Sequence, residues 1–159
     1  MYGYGNPGRQ DDGVGNALVE KLEPWIKEKQ LKDVEIDSNY QLNIEDAAEI
    51  AHRGIVIFVD ATIEEHVNDF IITKVQPSDK VNYTMHAVSP GFVLDLCKKM
   101  YDEVPDVFLV HIKGYQWDMK EELTKQAEEN MNKALDFIMK TLLYPDLMKI
   151  KEIFNKTAN

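Results

Sequence analysis

Two unbroken apolar runs, GIVIFVD at 54–60 and DVFLVHI at 106–112, constrain this chain more than any other feature. A strand whose apolar residues do not alternate with polar ones cannot keep one face in water, so each run predicts a strand buried on both faces. Helices must cover such strands, and stretches of helical period lie between them. Val14, Ala17, Leu18, Leu22, Trp25 and Ile26 predict a first helix running from about Gly13 toward Pro24, with continuation beyond the proline left open. DVEID (33–37) reads as a short strand. LNIEDAAEIAHR (42–53) reads as a helix with Ile44, Ala47, Ala48 and Ala51 on one face. FIITKVQP (70–77) has strand character, and its polar Thr73 and Lys74 suit an edge. Residues 89–103 open like a helix, with Ser89 as N-cap and Pro90 in the first turn. A long helix follows from Leu123 to Leu142, and a last one starts at Pro145. This alternation predicts one α/β domain over residues 1–159, a three-layer α/β/α sandwich around a mostly parallel sheet of about five strands.

Composition narrows the function. Hydrophobic residues make up 44% and charged residues 29% of the 159, a globular balance, and no apolar run approaches a membrane span. No charged-then-apolar leader opens the chain, and the single cysteine, Cys97, has no partner for an intramolecular disulfide, so a cytoplasmic location is expected. A formal charge of -10 makes nucleic acid and anionic membrane poor partners. Size alone makes a monomer the expectation.

In open α/β sheets, sites form beyond the carboxyl ends of the strands. Three reactive side chains fall there: Asp12 after a glycine-rich opening loop, Asp60 at the end of the 54–60 run, and His86 before the helix that opens at Ser89. Two carboxylates and an imidazole make a first shell for a divalent transition metal with positions left open, without singling out one metal. Taken singly, each has a plainer reading: Asp12 caps the following helix, Asp60 forms a turn, and His86 is a surface residue. Their coincidence at strand exits favours a site. His52 and His66 sit in polar contexts, His111 alternates within a strand as a structural histidine would, and Cys97 reads as a small core residue. No GxSxG, CxxC or Walker loop occurs. The glycines at 3, 5, 8, 13 and 15 give GxG without the third glycine of a dinucleotide fingerprint, and no organic cofactor is expected.

The opening GxGNPxxxDDGxG, VDA at 59–61, and a histidine shortly before a Ser-Pro helix start together resemble the endopeptidases that mature [NiFe] hydrogenases. YQLNIEDA (40–47), HAVSPGFVLDL (86–96) and LTKQAEENMNKAL (123–135) resemble that family's segments in the same order, so the resemblance covers nearly the whole chain. It implies a phosphorylase/hydrolase-like sandwich. It also implies an endopeptidase that removes a C-terminal peptide from the nickel-loaded precursor of a hydrogenase large subunit. On this resemblance Asp12, Asp60 and His86 contact nickel and carry catalysis, Asp11 is the acid supporting Asp12, and Gly5, Asn6 and Asp11 line the substrate. The nickel belongs to the substrate and is contacted transiently. A water activated by metal and carboxylate is compatible with these residues, as is metal used for recognition.

The family normally places four to six apolar strand residues before GxGN, whereas only Met1 and Tyr2 precede Gly3. That departure implies a short first strand or a start inside a longer chain. Two other readings compete. One is a metal-sensing chaperone or binding module that docks on a hydrogenase precursor without cutting it. The other is a peptidyl-tRNA hydrolase-like esterase, which GYGNPG also resembles; that family's catalytic histidine has no counterpart here, since no histidine precedes His52.

Overall fold

The computed structural model describes residues 1–79 and 88–158. Five strands, β1 (Tyr2–Tyr4), β2 (Asp37–Asn39), β3 (Ile55–Thr62), β4 (Phe70–Lys74) and β5 (Asp106–Lys113), form one sheet in the order β2-β1-β3-β5-β4. Every neighbouring pair is parallel except β4 with β5. The helices are α1 (Val14–Lys29), α2 (Asp46–Ile50), α3 (Pro90–Met100), α4 (Lys125–Leu142) and α5 (Leu147–Thr157).

The two apolar runs form the spine. β3 and β5 pair along their whole length, from Ile55 opposite Asp106 to Thr62 opposite Lys113. Their side chains alternate between the sheet's two faces. Ile57, Val59, Phe108, Val110 and Ile112 pack against Val14, Leu18 and Leu22 of α1, Met131 and Ile138 of α4, and Phe154 of α5. Val56, Phe58 and Val107 pack on the other face against Ala47 and Ile50 of α2 and Val93, Leu94 and Cys97 of α3. These are the three layers expected, around a mostly parallel sheet.

Boundaries differ where local pattern and tertiary context part. α1 runs through Pro24 to Lys29, because the residue lies on the exposed face and the helix is held by its buried side. The second strand lies at Asp37–Asn39 rather than 33–37; Met1 captures the Glu35 carbonyl and receives the Asp37 N–H, and pairing with β1 starts there. Only Asp46–Ile50 of the 42–53 stretch is helical. The central strand extends two residues past Asp60, which therefore stands inside β3 rather than ending it. Ser89 caps α3 as expected, its Oγ accepting the Phe92 N–H at 3.2 Å. Among the described residues no helix is long and apolar enough to cross a membrane.

The chain leaves β1 for β2 on one side, then returns past β1 to β3 on the other. That reversal opens a crevice above the carboxyl ends of β1 and β3, the place where such sheets hold ligands.

At the opposite end of β5, Lys74 Nζ lies 2.9 Å from Asp106 Oδ1 and Lys151 Nζ 3.0 Å from Oδ2. The bond from Lys74, aided by Lys151, holds the Asp106 carboxyl below its usual range. A depressed carboxyl contributes stability above its unfolded pKa and loses it as pH falls through the folded value. Asp106→Asn is therefore expected to cost about 1 kcal/mol at neutral pH. Urea unfolding at a series of pH values should show the difference from wild type shrinking below about pH 4.

Candidate active site

β1 is only three residues long, and its chain turns at once into the loop that carries the first acids. Gly5 makes this turn at φ 137°, and a Cβ there would lie 1.9 Å from the Asp12 carbonyl oxygen. A Cβ on Gly15 would lie 2.4 Å from the Val59 carbonyl oxygen, so the start of α1 is pressed onto β3. Within the loop, Asn6 Oδ1 accepts the Gly8 N–H at 2.9 Å, and the Asn6 N–H donates to Asp12 Oδ2 at 3.1 Å. Asp12 is thus folded back on its own loop. It does not cap α1, whose N-cap is Gly13 with no side-chain bond.

Asp11 behaves differently. It is fully buried, and it accepts the backbone N–H groups of Tyr115 (2.8 Å), Gln116 (3.1 Å) and Thr124 (2.7 Å) together with the Thr124 hydroxyl (2.8 Å). Gln10, buried with φ 47°, adds an N–H bond to the Lys120 carbonyl at 2.7 Å and accepts the Asp118 N–H at 3.2 Å. Two adjacent acids therefore have opposite states. Four donors occupy Asp11, which supports the loop from beneath, whereas among the described residues the Asp12 carboxylate accepts the Asn6 N–H alone.

Asp60 stands opposite His111 of β5, and the Gly3–Val59 pairing sets it beside Tyr4 of β1. Its Oδ1 accepts the Ala61 N–H at 2.8 Å, and Tyr4 stands beside it on the same face of the sheet. Burial pushes the Asp60 carboxyl up to about 7; the neighbouring Tyr4 hydroxyl and the Ala61 N–H oppose that rise, and repulsion from Asp12 adds to it. The two carboxylates thus act on one another across the crevice. Burial, reinforced by the Asp60 charge, pushes the Tyr4 hydroxyl well above its usual value, so it stays protonated.

His86 lies outside the described residues. Among the described residues no three His, Cys, Asp or Glu side chains meet as a metal-holding group. His111 has a structural bond, its Nε2 lying 2.8 Å from Thr73 Oγ1 of the edge strand, and burial lowers its pKa. His52 and His66 are exposed, and Cys97 is buried in the α3 packing.

Tyr4 and Thr124 escaped the sequence reading. Tyr4 shares a period of two with Tyr2, which hints at a common face, but only the strand register sets it beside Asp60. Thr124 is legible as the α4 N-cap, with Oγ1 accepting the Ala127 N–H at 3.2 Å. Its bond to Asp11 spans 113 positions, and no local pattern carries it.

No family profile matches the sequence, and no curated protein does. Solved structures do match. A [NiFe] hydrogenase maturation protease, HycI, from Thermococcus kodakarensis aligns at 20% identity over 90% of each chain, with a TM-score of 0.67. The hydrogenase maturating endopeptidase HybD from E. coli aligns at 20% identity over 89% of each chain, with a TM-score of 0.64. A hydrogenase 2 maturation peptidase from a Thaumarchaeota archaeon aligns at 20% identity over 89% of this chain and 95% of its own, with a TM-score of 0.57. The chain has the fold of these proteins, as the sequence resemblance implied.

The two acids should separate in mutagenesis. Asp11→Ala strands buried donors and is expected to cost at least about 3 kcal/mol in chemical denaturation, whereas Asp12→Ala, losing one bond to Asn6, should cost about 1 kcal/mol. For Asp60, a folded pKa raised to about 7 means stability is fully present below the unfolded value and is lost as pH rises through 7. Asp60→Asn should therefore melt higher than wild type at pH 8 and match it below about pH 4.

Proposed function

We propose that this chain is an endopeptidase that removes a C-terminal peptide from the nickel-loaded precursor of a [NiFe] hydrogenase large subunit. The observation that carries the reading is the unequal filling of three neighbouring carboxylates. Asp11 is saturated by four donors, while among the described residues Asp12 and Asp60 each accept one backbone N–H and keep lone pairs for a guest. The Asp12 charge raises the Asp60 carboxyl, and a guest that relieves that repulsion is a cation. The fold shared with HycI and HybD supports a cation borne by a hydrogenase precursor.

In this reading Asp12 and Asp60, with His86 as a third ligand, contact the substrate's nickel. Gly5 and Asn6 shape the loop around it, and Asp11 fixes that loop. Nickel held by the precursor reports that loading is complete and fixes the scissile bond over the crevice. Hydrolysis then needs a water whose proton passes to a nearby base as its oxygen attacks the carbonyl, and a proton returned to the departing amine. Asp12 and Asp60 are the groups available for that transfer, and nothing in the described residues forms a serine or cysteine nucleophile constellation. The partner is the precursor alone, and the chain acts as a cytoplasmic monomer.

Co-expression with a nickel-loaded large-subunit precursor, followed by intact-mass measurement, tests this. Loss of a C-terminal peptide is expected, and it should disappear in Asp12→Ala with the fold retained. A precursor that binds the chain yet keeps its full mass would convert the reading to a non-cutting chaperone. Release of peptide from peptidyl-tRNA, assayed directly, should be absent.

A further inference from the structure

We infer that Met119 and Ile63 are docking contacts for the precursor, meeting an apolar patch bordered by basic side chains beside the scissile bond; the identity of the partner rests on the functional reading above. Met119 is 82% exposed, yet its backbone is held on both sides. It stands at the apex of a three-residue turn in which the Lys120 N–H donates to the Asp118 carbonyl at 2.8 Å. Gln10 fastens both arms of that turn: its side-chain oxygen accepts the Asp118 N–H at 3.2 Å, and its own N–H donates to the Lys120 carbonyl at 2.7 Å. To do so Gln10 takes a φ of 47°, which a non-glycine residue rarely adopts. The loop's inward packing falls to Trp117, whose ring would lie 3.1 Å from a Cβ on Gly114. A solitary exposed apolar side chain is ordinary. Here a buried residue in an unfavourable conformation, next to Asp11 and Asp12, fixes one in water.

Ile63, 68% exposed, is held at the same end of the sheet, three residues past Asp60. The Gly114 N–H donates to the Thr62 carbonyl at 3.0 Å, and Lys113 Nζ donates to the Ile63 and Glu64 carbonyls at 2.7 and 2.8 Å. These bonds tie Ile63 to the stem of the loop that carries Met119. One apolar contact is thus fixed through the residue that precedes the acidic pair, and the other through the strand that carries Asp60, so both are continuous with the crevice. In 63–65 and 118–122 the exposed charged residues are Glu64, Glu65, Asp118, Glu121 and Glu122, against Lys120. Apolar side chains among acids match an apolar surface ringed by lysine or arginine, and methionine adapts to such surfaces. Docking here holds the body of the precursor while Asp12 and Asp60 meet its nickel.

Met119→Ser and Ile63→Ser test this in the full chain. Both side chains are exposed, so the melting temperature should match wild type. KM for the nickel-loaded precursor should rise about tenfold in each, with kcat little changed, and Met119→Leu should retain the wild-type KM. Glu121→Lys combined with Glu122→Lys should also raise KM, and an unchanged value there overturns the basic border. A KM unchanged in both serine variants overturns the docking role, as does a fall in kcat alone. Sedimentation of the chain by itself should show a monomer; a dimer that Met119→Ser dissolves makes a second copy the occupant and overturns the assignment. An affinity measurement on the nickel-loaded precursor separates docking from cleavage. Binding without cutting, weakened by Met119→Ser, overturns the protease reading and upholds docking. Cutting with equal affinity for wild type and both serine variants overturns docking and leaves the protease reading standing. A precursor neither bound nor cut overturns both.

Discussion

The arrangement of the crevice depends on one buried negative charge. β1 contributes three residues to the sheet, too few to hold the loop that follows by ladder bonds alone. Asp11 supplies the missing hold, collecting four donors from the segment between β5 and α4. A fully buried carboxylate is tolerable only because each donor offsets its lost hydration. The bonds join the first loop to the end of the last strand, so the position of Asp12 is set by residues more than a hundred places away. The positive φ at Gln10 belongs to the same clasp, since its backbone and side chain bond Lys120 and Asp118.

Legibility in the sequence followed the range of the forces. The two apolar runs announced β3 and β5 because a strand buried on both faces needs nothing but its own composition to be recognised. Ser89 and Pro90 announced α3 through the local chemistry of a helix start. β2 was misplaced because Asp-Ser-Asn has no strand character; it pairs since Met1 and β1 present it with partners. The 42–53 helix was overlong for the opposite reason, as alanines and isoleucines at helical spacing continue past the single turn and a half that packs on α3. Tertiary context decided both.

The same division runs through the site. That the Asp12 charge acts on Asp60 fits where the glycine loop and the central run end in the sequence. That Asp11 supports and Asp12 stays open was implied by the resemblance alone; the residues themselves, chemically identical side by side, did not show which partners would make them differ. Their difference comes from Tyr115, Gln116 and Thr124 below and Asn6 above. Tyr4 was hidden likewise: in Tyr-Gly-Tyr-Gly it is one aromatic of two, and only pairing Gly3 with Val59 sends it to Asp60 while its twin Tyr2 goes to Asp46, at 3.2 Å.

The two borders of the sheet carry a separate consequence. On one side β2 is three exposed residues, Asp37, Ser38 and Asn39; on the other, antiparallel β4 is five residues long and ends in Lys74. Short borders that each carry a charged residue offer another chain few unpaired backbone groups to grow against. The sheet is therefore guarded against edge-to-edge association and fibre-like growth, although its interior strands are among the most β-prone segments of the chain.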